Sequence, residues 1–162
     1  MGEYFAKKYD MDFRCLRYPG VISSAKYAFN GTTDYSTEIF FELLEKGHYN
    51  CPLKPCARMP MIYVDDTIEA TIQYLKADPS VLKRNVYNLA GVNFNPQELV
   101  TAIEKLNLIP GSTVDYKPDY RQAIAESWPH SLDDRTSFED WGWKYDVTIE
   151  DLAQKIFDGI EP

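Results

Sequence analysis

The chain has 162 residues, 44% of them hydrophobic, which is the size of one domain that can bury a core. Its net charge of −8, with 17 basic residues scattered among 25 acidic ones, argues against a nucleic-acid partner. The sequence predicts no membrane span and no signal peptide, and its odd number of cysteines, three, favours a reducing, intracellular compartment.

The first elements are predicted to be a helix, a strand and a second helix. Residues 2–9 resemble the end of a helix that lacks a capping side chain, which suggests that further chain precedes it. Residues 13–18 are predicted to form a buried strand that Pro19-Gly20 ends, because proline donates no ladder hydrogen bond. A polar loop over 23–31 then leads to a helix that stops at Gly47.

Helical spacing assigns two sets of apolar side chains to the core. The second helix contributes Ile39, Phe40, Leu43 and Leu44. The helix that follows an apolar strand at 61–64 contributes Ile68, Ile72 and Leu75. Asp66 and Glu69 have the spacing of a capping box at the start of that helix.

The second half of the chain continues the alternation of strands and helices. In chain order we predict a strand at 85–90, a helix from Asn95, a strand at 113–116, a polar loop with Arg121 and Trp128, a helix over 135–141 and a last helix from Thr148. This alternation favours an α/β fold.

The strand that stops at Pro19-Gly20 is typical of the ligand edge of a nucleotide-binding α/β sheet, where small molecules bind beyond the carboxyl ends of the strands. A dinucleotide-binding half also needs a glycine-rich turn that lets backbone amides approach the pyrophosphate. The chain contains neither Gly-x-Gly-x-x-Gly nor Gly-x-x-Gly-x-x-Gly. A ligand at this edge is therefore not bound by such a glycine-rich turn.

Motifs along nearly the whole chain resemble those of one enzyme family. They lie in residues 11–23, 31–35, 58–66, 87–90, 121–129 and 140–143. The run Gly31-Thr32-Thr33-Asp34-Tyr35, together with Ala-Ile-Ala-Glu-Ser-Trp-Pro at 123–129, resembles the carboxyl-terminal half of the short-chain L-threonine 3-dehydrogenases. These enzymes are extended short-chain dehydrogenases and relatives of the UDP-sugar epimerases.

The resemblance implies the fold and its boundaries. We expect the carboxyl-terminal portion of a Rossmann-type enzyme, with the last sheet strands and a small substrate-binding α/β region. Residues 1–162 would be one partial domain, in which 1–22 hold the end of the catalytic helix and a Rossmann strand, and 23–162 hold the substrate-binding region interleaved with the remaining Rossmann elements. The family's homodimers pair through the Rossmann half, so the resemblance gives no firm expectation of a dimer for this chain.

The resemblance also implies the ligands and their sites. The family oxidises L-threonine to 2-amino-3-oxobutanoate with NAD, in mitochondria for the eukaryotic enzymes and otherwise in the cytoplasm. The residues implied to face the nicotinamide are Tyr18, Pro19, Gly20 and Val21. The residues implied to bind the amino acid are Gly31, Thr32, Thr33, Asp34 and Trp128. Threonine hydroxyls and helix-start amides suit its carboxylate, and an aspartate suits its ammonium group.

The family's catalytic Tyr-x-x-x-Lys pair is expected upstream of Met1. Tyr4-x-x-x-Lys8 has the right spacing, but the geometry excludes it. Tyr4 rises only about 9 Å above the bottom of its helix, whereas the following strand climbs about 20 Å to the ligand edge. We therefore assign no catalytic residue, and without the pair and the glycine-rich turn the chain is expected to be inactive alone.

Each candidate has a simpler structural interpretation. Pro19-Gly20 could merely end a strand, Gly31–Asp34 could be an ordinary helix start, and Trp128 could belong to the core. The remaining polar candidates fit structural interpretations better: surface arginines at 58 and 121, helix-start carboxylates at 65 and 66, and cysteines at 51 and 56 that, with His48 and His130, do not make a zinc set.

The sequence leaves three functions open. The first is the substrate-binding part of an NAD-dependent L-threonine 3-dehydrogenase. The second is a fragment of an NAD-dependent sugar-nucleotide epimerase or dehydratase, which would bind a uridine diphosphate instead of threonine. The third is a non-catalytic protein that binds an amino acid or another dehydrogenase subunit.

Overall fold

The computed structural model describes residues 1–26 and 31–160. Its helices are α1 (Gly2–Tyr9), α2 (Tyr35–Lys46), α3 (Val64–Lys76), α4 (Pro96–Lys105), α5 (Tyr120–Ser127), α6 (Arg135–Trp141) and α7 (Ile149–Asp158). Its strands are β1 (Cys15–Arg17), β2 (Gly20–Ile22), β3 (His48–Cys51), β4 (Met59–Tyr63), β5 (Val86–Asn88), β6 (Val92–Phe94) and β7 (Thr113–Tyr116). A short 3-10 turn follows α3 at Pro79–Val81.

The strands form small sheets that are mainly parallel. β1 pairs with β5 and β3 pairs with β7, both in parallel. β4 lies between β2, which is parallel to it, and β6, which is antiparallel. Helices connect the parallel strands, as parallel pairing requires. The α/β prediction is therefore confirmed.

The chain changes sheets at Pro19. β1 ends before this residue, as predicted, but Gly20 begins β2, which pairs with β4 instead of β5. The sequence ends the strand at Pro19-Gly20 and does not predict β2, whereas the polar loop begins at position 23 as predicted. Proline interrupts the first ladder because it has no N–H to donate, and the strand resumes one residue later beside a new neighbour. Positions 27–30 of the predicted loop lie outside the described residues.

The larger core lies between α2, α4, α7 and the sheet strands β3 and β4. Its fully buried members include Ile39, Phe40, Met59, Leu99 and Leu152. Leu43 is also buried, as predicted, but Leu44 is exposed, so that part of the prediction is wrong. One residue turns an α-helix by about 100°, which carries Leu44 off the face that Leu43 occupies.

The smaller core lies between α3, α6 and the two strands β1 and β5. It contains Ile62, Ala70, Tyr74, Tyr87, Leu89, Trp141 and Trp143. The predicted core residues Ile68, Ile72 and Leu75 are exposed instead. This prediction is wrong because α3 has a second apolar face: Ala70 and Tyr74 pack toward the strands, and the aliphatic residues point away from them.

Two helix starts follow the predicted capping chemistry. Asn95 Oδ1 accepts a hydrogen bond from the Glu98 amide at 2.9 Å, and Glu98 Oε2 accepts from the Asn95 amide at 3.1 Å. Thr148 caps α7 in the same reciprocal way. The capping box predicted at Asp66 is wrong, because α3 already begins at Val64 and the Asp66 carboxylate binds other partners.

Besides β2, three elements differ from the prediction. The polar loop predicted around Arg121 and Trp128 is mostly helix α5, whose first amides are satisfied by Asp119. Strands β3 and β6 are not predicted by the sequence at all. Both are short, and short strands give little alternation for a sequence pattern to detect.

Candidate substrate-binding site

The end of the sheet and the start of α2 meet at one close contact. Gly20 is buried, and a Cβ atom placed on it would lie 2.7 Å from Thr33 Cγ2 and 3.4 Å from the Pro60 carbonyl oxygen. Any side chain at Gly20 would therefore push against Thr33. The structure thus brings together the two stretches that the sequence assigns to the cofactor and to the amino acid.

The turn before α2 is closed by Asp34. Its Oδ2 atom accepts a hydrogen bond from the Gly31 amide at 2.7 Å, and Asp34 makes no side-chain bond to the helix that it precedes. The Ser36 hydroxyl donates to the Thr33 carbonyl at 2.7 Å, and Thr32 is buried. The Asp34 carboxylate thus stabilises the turn. The Ser36, Thr37 and Glu38 amides at the start of α2 donate to the Thr33 and Asp34 carbonyls.

Side-chain hydrogen bonds hold this turn against the segment that follows β2. Thr37 Oγ1 donates to the Ser23 carbonyl at 2.8 Å. The Ser24 and Tyr63 hydroxyls lie 3.0 Å apart. Because Thr37 is on α2 and Tyr63 is the last residue of β4, these bonds fix the position of the helix start relative to the sheet.

The four residues assigned to the nicotinamide are divided between the interior and the surface. Pro19 and Gly20 are buried, whereas Tyr18 and Val21 are 43% and 41% exposed. The Tyr18 hydroxyl lies 2.9 Å from Thr71 Oγ1 on α3. Their role toward a cofactor stays a prediction.

Trp128 is the residue that ends α5. Its amide donates to the Ala125 carbonyl at 3.2 Å, and its half-buried ring packs on the larger core, which also contains Tyr35. Trp128 therefore packs on the core, as its structural interpretation predicts. The described hydrogen bonds do not join it to Gly31–Asp34, and its assignment to the amino-acid site stays a prediction.

Sequence reasoning missed a partly buried ionic network that joins α5 to α2. Arg121 Nη2 donates to Asp119 Oδ2 at 2.8 Å, and its Nη1 lies 3.9 Å from Glu38 Oε2. The Tyr49 hydroxyl donates to the same Glu38 oxygen at 2.8 Å. The hydrogen bonds that the Arg121 guanidinium donates to Asp119 raise the pKa of Arg121 and lower the pKa of Asp119. The Asp-x-Arg spacing at the start of α5 is the sequence feature that could have indicated this network.

Arg58 is also bound more firmly than a surface arginine. Its Nη1 donates to the Asn93 carbonyl at 2.6 Å, and its Nη2 forms an ion pair with Glu98. Nearby, the Tyr35 hydroxyl is fully buried and has no hydrogen-bond partner among the described residues. Burial raises the pKa of Tyr35.

Tyr4 and Lys8 form a surface contact. Tyr4 is exposed on α1, and Lys8 Nζ lies 5.5 Å from the centre of the Tyr4 ring and 5.2 Å from that of Tyr9. The ammonium group therefore lies over ring faces, as in a cation–π contact. The exclusion of this pair from catalysis stays a prediction.

Neither a metal cluster nor a membrane-spanning helix is found in the part of the chain that the structure describes. No group of three or more His, Cys, Asp or Glu side chains there could hold a metal ion. None of the helices described is both long and apolar enough to cross a membrane. The cysteines are free, and burial raises the pKa of Cys51 to about 11.

The mainly parallel α/β architecture is of the Rossmann type and matches that of L-threonine dehydrogenases of known structure. The chain is 45% identical over 164 aligned residues to a mitochondrial L-threonine 3-dehydrogenase of Bos taurus, covering 99% of this chain and 43% of that protein. It is 42% identical to an uncharacterized epimerase/dehydratase of Staphylococcus haemolyticus, covering 98% of this chain and 50% of that protein. No family model matches it.

A solved structure gives the same result. The L-threonine dehydrogenase of Phytophthora infestans superposes with a TM-score of 0.90 at 43% identity, covering 97% of this chain and 50% of that one. The chain is therefore homologous to the carboxyl-terminal part of L-threonine 3-dehydrogenases and belongs with them to the epimerase/dehydratase family. It spans about half the length of the relatives that it matches.

The residues present do not fit a complete dinucleotide site. The glycine-rich turn that would approach a pyrophosphate is missing from the sequence. The space beside Gly20 is occupied by the Thr33 methyl group and the Pro60 carbonyl. The described residues therefore do not make a complete cofactor site, and no reaction step through the cofactor follows from them.

Proposed function

We propose that the chain is the amino-acid-binding part of an NAD-dependent L-threonine 3-dehydrogenase of threonine catabolism. The complete enzyme removes a hydride from C3 and a proton from the 3-hydroxyl of L-threonine, giving 2-amino-3-oxobutanoate and NADH. The contact between Thr33 and Gly20 carries the proposal, because it places the amino-acid stretch directly beside the strand end assigned to the nicotinamide.

Each part of the amino-acid stretch has a role in this proposal. The Thr32 and Thr33 hydroxyls bind the carboxylate of threonine beside the start of α2, because the positive end of a helix favours an anion. Asp34 attracts its ammonium group, and Trp128 covers the bound amino acid. Tyr18, Pro19, Gly20 and Val21 border the nicotinamide. In this assignment residues 1–22 hold the end of the catalytic helix and a Rossmann strand, and 23–162 hold the substrate-binding region interleaved with the remaining Rossmann elements.

The proposals on the cofactor, the cellular location and the dimer concern the complete protein. NAD would be bound mainly by a nucleotide-binding half that carries the glycine-rich turn. The names of the Bos taurus and Sus scrofa relatives place those two proteins in mitochondria, which supports the same location for a eukaryotic enzyme containing this chain. A homodimer would form through the nucleotide-binding half.

A sugar-nucleotide epimerase or dehydratase is the second candidate. The similarity to a staphylococcal protein with that name, at 42% identity, favours it. The two candidates differ in what the stretch Gly31–Asp34 would bind, which is a zwitterionic amino acid in one case and a uridine diphosphate in the other.

The test uses a joined protein, in which residues 1–162 follow the part of the Bos taurus relative that precedes the matched region. We expect the joined protein to form NADH with L-threonine and to ignore UDP-glucose. Thr33→Val removes one hydroxyl and should raise the KM for threonine roughly 10-fold, the effect of losing one hydrogen bond to a charged group.

Thr101→Val is the matched control, because Thr101 is exposed on α4 and its hydroxyl donates only to the Gln97 carbonyl within that helix. Its KM should not change. Turnover of UDP-glucose without turnover of threonine would overturn the proposal in favour of the second candidate. An unchanged KM in Thr33→Val would remove Thr33 from the site.

A further inference from the structure

Helix α5 is bound to the loop after β3 through one buried side chain. Gln122 lies in the first turn of α5 and is only 7% exposed. Its Oε1 atom accepts a hydrogen bond from the Lys54 amide at 2.7 Å, and its Nε2 atom donates to Glu126 Oε1 at 2.9 Å. Both ends of the side-chain amide are therefore engaged, one with the loop and one within the helix.

Two further hydrogen bonds join the same loop to α5. Lys54 Nζ donates to Glu126 Oε1 at 2.8 Å, and the Asp119 amide, just before the helix, donates to the Pro52 carbonyl at 3.0 Å. Because the Gln122 side chain is buried, its amide can lose neither partner without a cost in free energy. Gln122 therefore fixes how α5 is rotated against this loop.

The buried face of α5 leads from Gln122 to Trp128. Gln122 and Ala125 are both buried and are three residues apart, so they lie on one face of the helix. Trp128 follows after three more residues and ends the helix, with its amide donating to the Ala125 carbonyl at 3.2 Å. A rotation of α5 at Gln122 would therefore displace the indole ring of Trp128.

The start of α2 is held against the same helix. Arg121 of α5 pairs with Glu38, and the Glu38 amide donates to the Asp34 carbonyl at 2.8 Å. The half-buried ring of Trp128 packs on the larger core, which contains Tyr35, the residue that follows Asp34. The position of α5 is thus defined relative to the element that begins directly after the Gly31–Asp34 turn.

We infer that Gln122 is a positioning residue, which fixes the indole ring of Trp128 relative to the Gly31–Asp34 turn. The inference rests on the proposed function for the amino acid that Trp128 covers. Gln122 acts through Trp128 and does not itself bind that amino acid. Two consequences can be measured separately, the position of the ring in the chain alone and the binding of threonine in the joined protein.

The first experiment observes the ring by fluorine NMR of residues 1–162 that contain fluorotryptophan. The chain has three tryptophans, and the other two, Trp141 and Trp143, lie in the smaller core. Replacing each tryptophan in turn by phenylalanine assigns its signal. In Gln122→Ala we expect the Trp128 signal to shift and broaden, while the signals of Trp141 and Trp143 stay unchanged.

Gln154→Ala is the matched control. Gln154 is also a helix glutamine that donates to a carboxylate four residues further on, Asp158 Oδ1 at 2.7 Å. Among the described hydrogen bonds, its side chain has none outside α7. All three tryptophan signals should stay unchanged in this variant. An unchanged Trp128 signal in Gln122→Ala, or an equal change in Gln154→Ala, would overturn the inference.

The second experiment measures threonine kinetics in the joined protein. Gln122→Ala should raise the KM for threonine roughly 5-fold with little change in kcat, because it weakens substrate binding without touching the reacting atoms. In a Trp128→Ala background the same change should have no further effect, because Gln122 then has no ring to position. A KM effect that persists in full in that background would indicate a general structural role, and the inference would be wrong.

Gln122→Glu keeps the test decisive if Gln122→Ala does not fold. It retains the oxygen that accepts from the Lys54 amide and loses the donor to Glu126. We therefore expect a smaller rise in KM, about 3-fold, which is again absent in the Trp128→Ala background. A joined protein that forms no NADH would reject the proposed function, whereas the NMR signals would still decide what Gln122 does to Trp128, so the two failures are distinguishable.

Discussion

The two cores of the chain differ in how completely they are enclosed. The larger core is surrounded by α2, α4, α7 and the strands β3 and β4, and its central residues Phe40 and Leu99 are not exposed at all. Among the described residues, the smaller core consists mainly of β1 and β5 under α3 and α6, and it leaves Ile68, Ile72 and Leu75 of α3 exposed. The comparison indicates that the larger core is enclosed by its own elements, whereas the smaller core leaves one apolar face of α3 uncovered among the described residues.

The largest effect is expected in the enclosed core. Leu99 is fully buried in α4, so Leu99→Ala removes buried methyl groups and leaves a cavity. We expect the free energy of unfolding to fall by about 2–5 kcal/mol, measured by urea denaturation. A loss below about 1 kcal/mol would mean that this core is loosely packed, against the comparison.

The next largest loss of stability is expected where the two cores connect. Gly91 lies between β5 and β6, and a Cβ atom there would be only 2.1 Å from the Met61 carbonyl oxygen in β4. Gly91→Ala must displace backbone, so we expect a loss of about 1–3 kcal/mol in urea denaturation.

Asn93→Ala is the control for Gly91→Ala, because this side chain is exposed on the neighbouring strand β6. It should cost less than about 0.5 kcal/mol. If Gly91→Ala is equally mild, the close approach between the strands is not a constraint.

The smaller core depends on a buried carboxylate. Asp140 accepts a hydrogen bond from the Tyr87 hydroxyl at 2.7 Å and pairs with Lys83 at 2.8 Å. These two partners lower the pKa of Asp140, and desolvation and the same carboxylate raise the pKa of Tyr87 to about 12. A carboxyl with a lowered pKa in the folded state adds stability above its unfolded pKa, and that stability is lost as the pH falls through the folded pKa.

Asp140→Asn should therefore be less stable than the natural chain at pH 7, by about 1 kcal/mol. The difference should disappear below the unfolded pKa of about 3.9, as the pH falls through the lowered folded pKa. Urea denaturation at pH 7 and pH 3 measures it, with the exposed Asp115→Asn as control. A difference that does not depend on pH would show that the charge of Asp140 is not what stabilises this core.

The smallest effect is expected on the exposed aliphatic face of α3, which carries Ile68, Ile72 and Leu75. Ile72→Gln changes an exposed residue, so the free energy of unfolding of residues 1–162 should change by less than about 0.5 kcal/mol. In the joined protein the same change should be destabilising, because we expect the added half to cover this face of α3. Equal small effects in both proteins would contradict the difference between the two cores.

The sequence predicts those parts of the fold that depend on local chemistry. The capping box at Asn95 and the stop at Gly47 follow from residues close together in the chain, and both are confirmed. The direction in which α3 packs depends on distant strands. Its two apolar faces cannot be told apart by helical spacing alone, so the core assignment of Ile68 and Ile72 failed.

The candidate substrate-binding site was predictable from the sequence to a similar extent. The family motif selects Gly20 and Thr33, and their contact becomes visible only in the structure, because it joins a strand to a helix start across a turn. The Arg121 network was not predictable, since Glu38 and Tyr49 come from two other elements. Contacts between residues far apart in sequence leave no local pattern to detect.

The most direct test of the central claim is NADH formation from L-threonine and NAD⁺, measured by absorbance, in residues 1–162 alone and in the joined protein. We expect no activity from the chain alone and threonine-dependent NADH formation from the joined protein. Activity of the chain alone that is abolished by Tyr4→Phe would contradict the claim, because Tyr4 and Lys8 would then form a catalytic pair and the chain would be a minimal dehydrogenase.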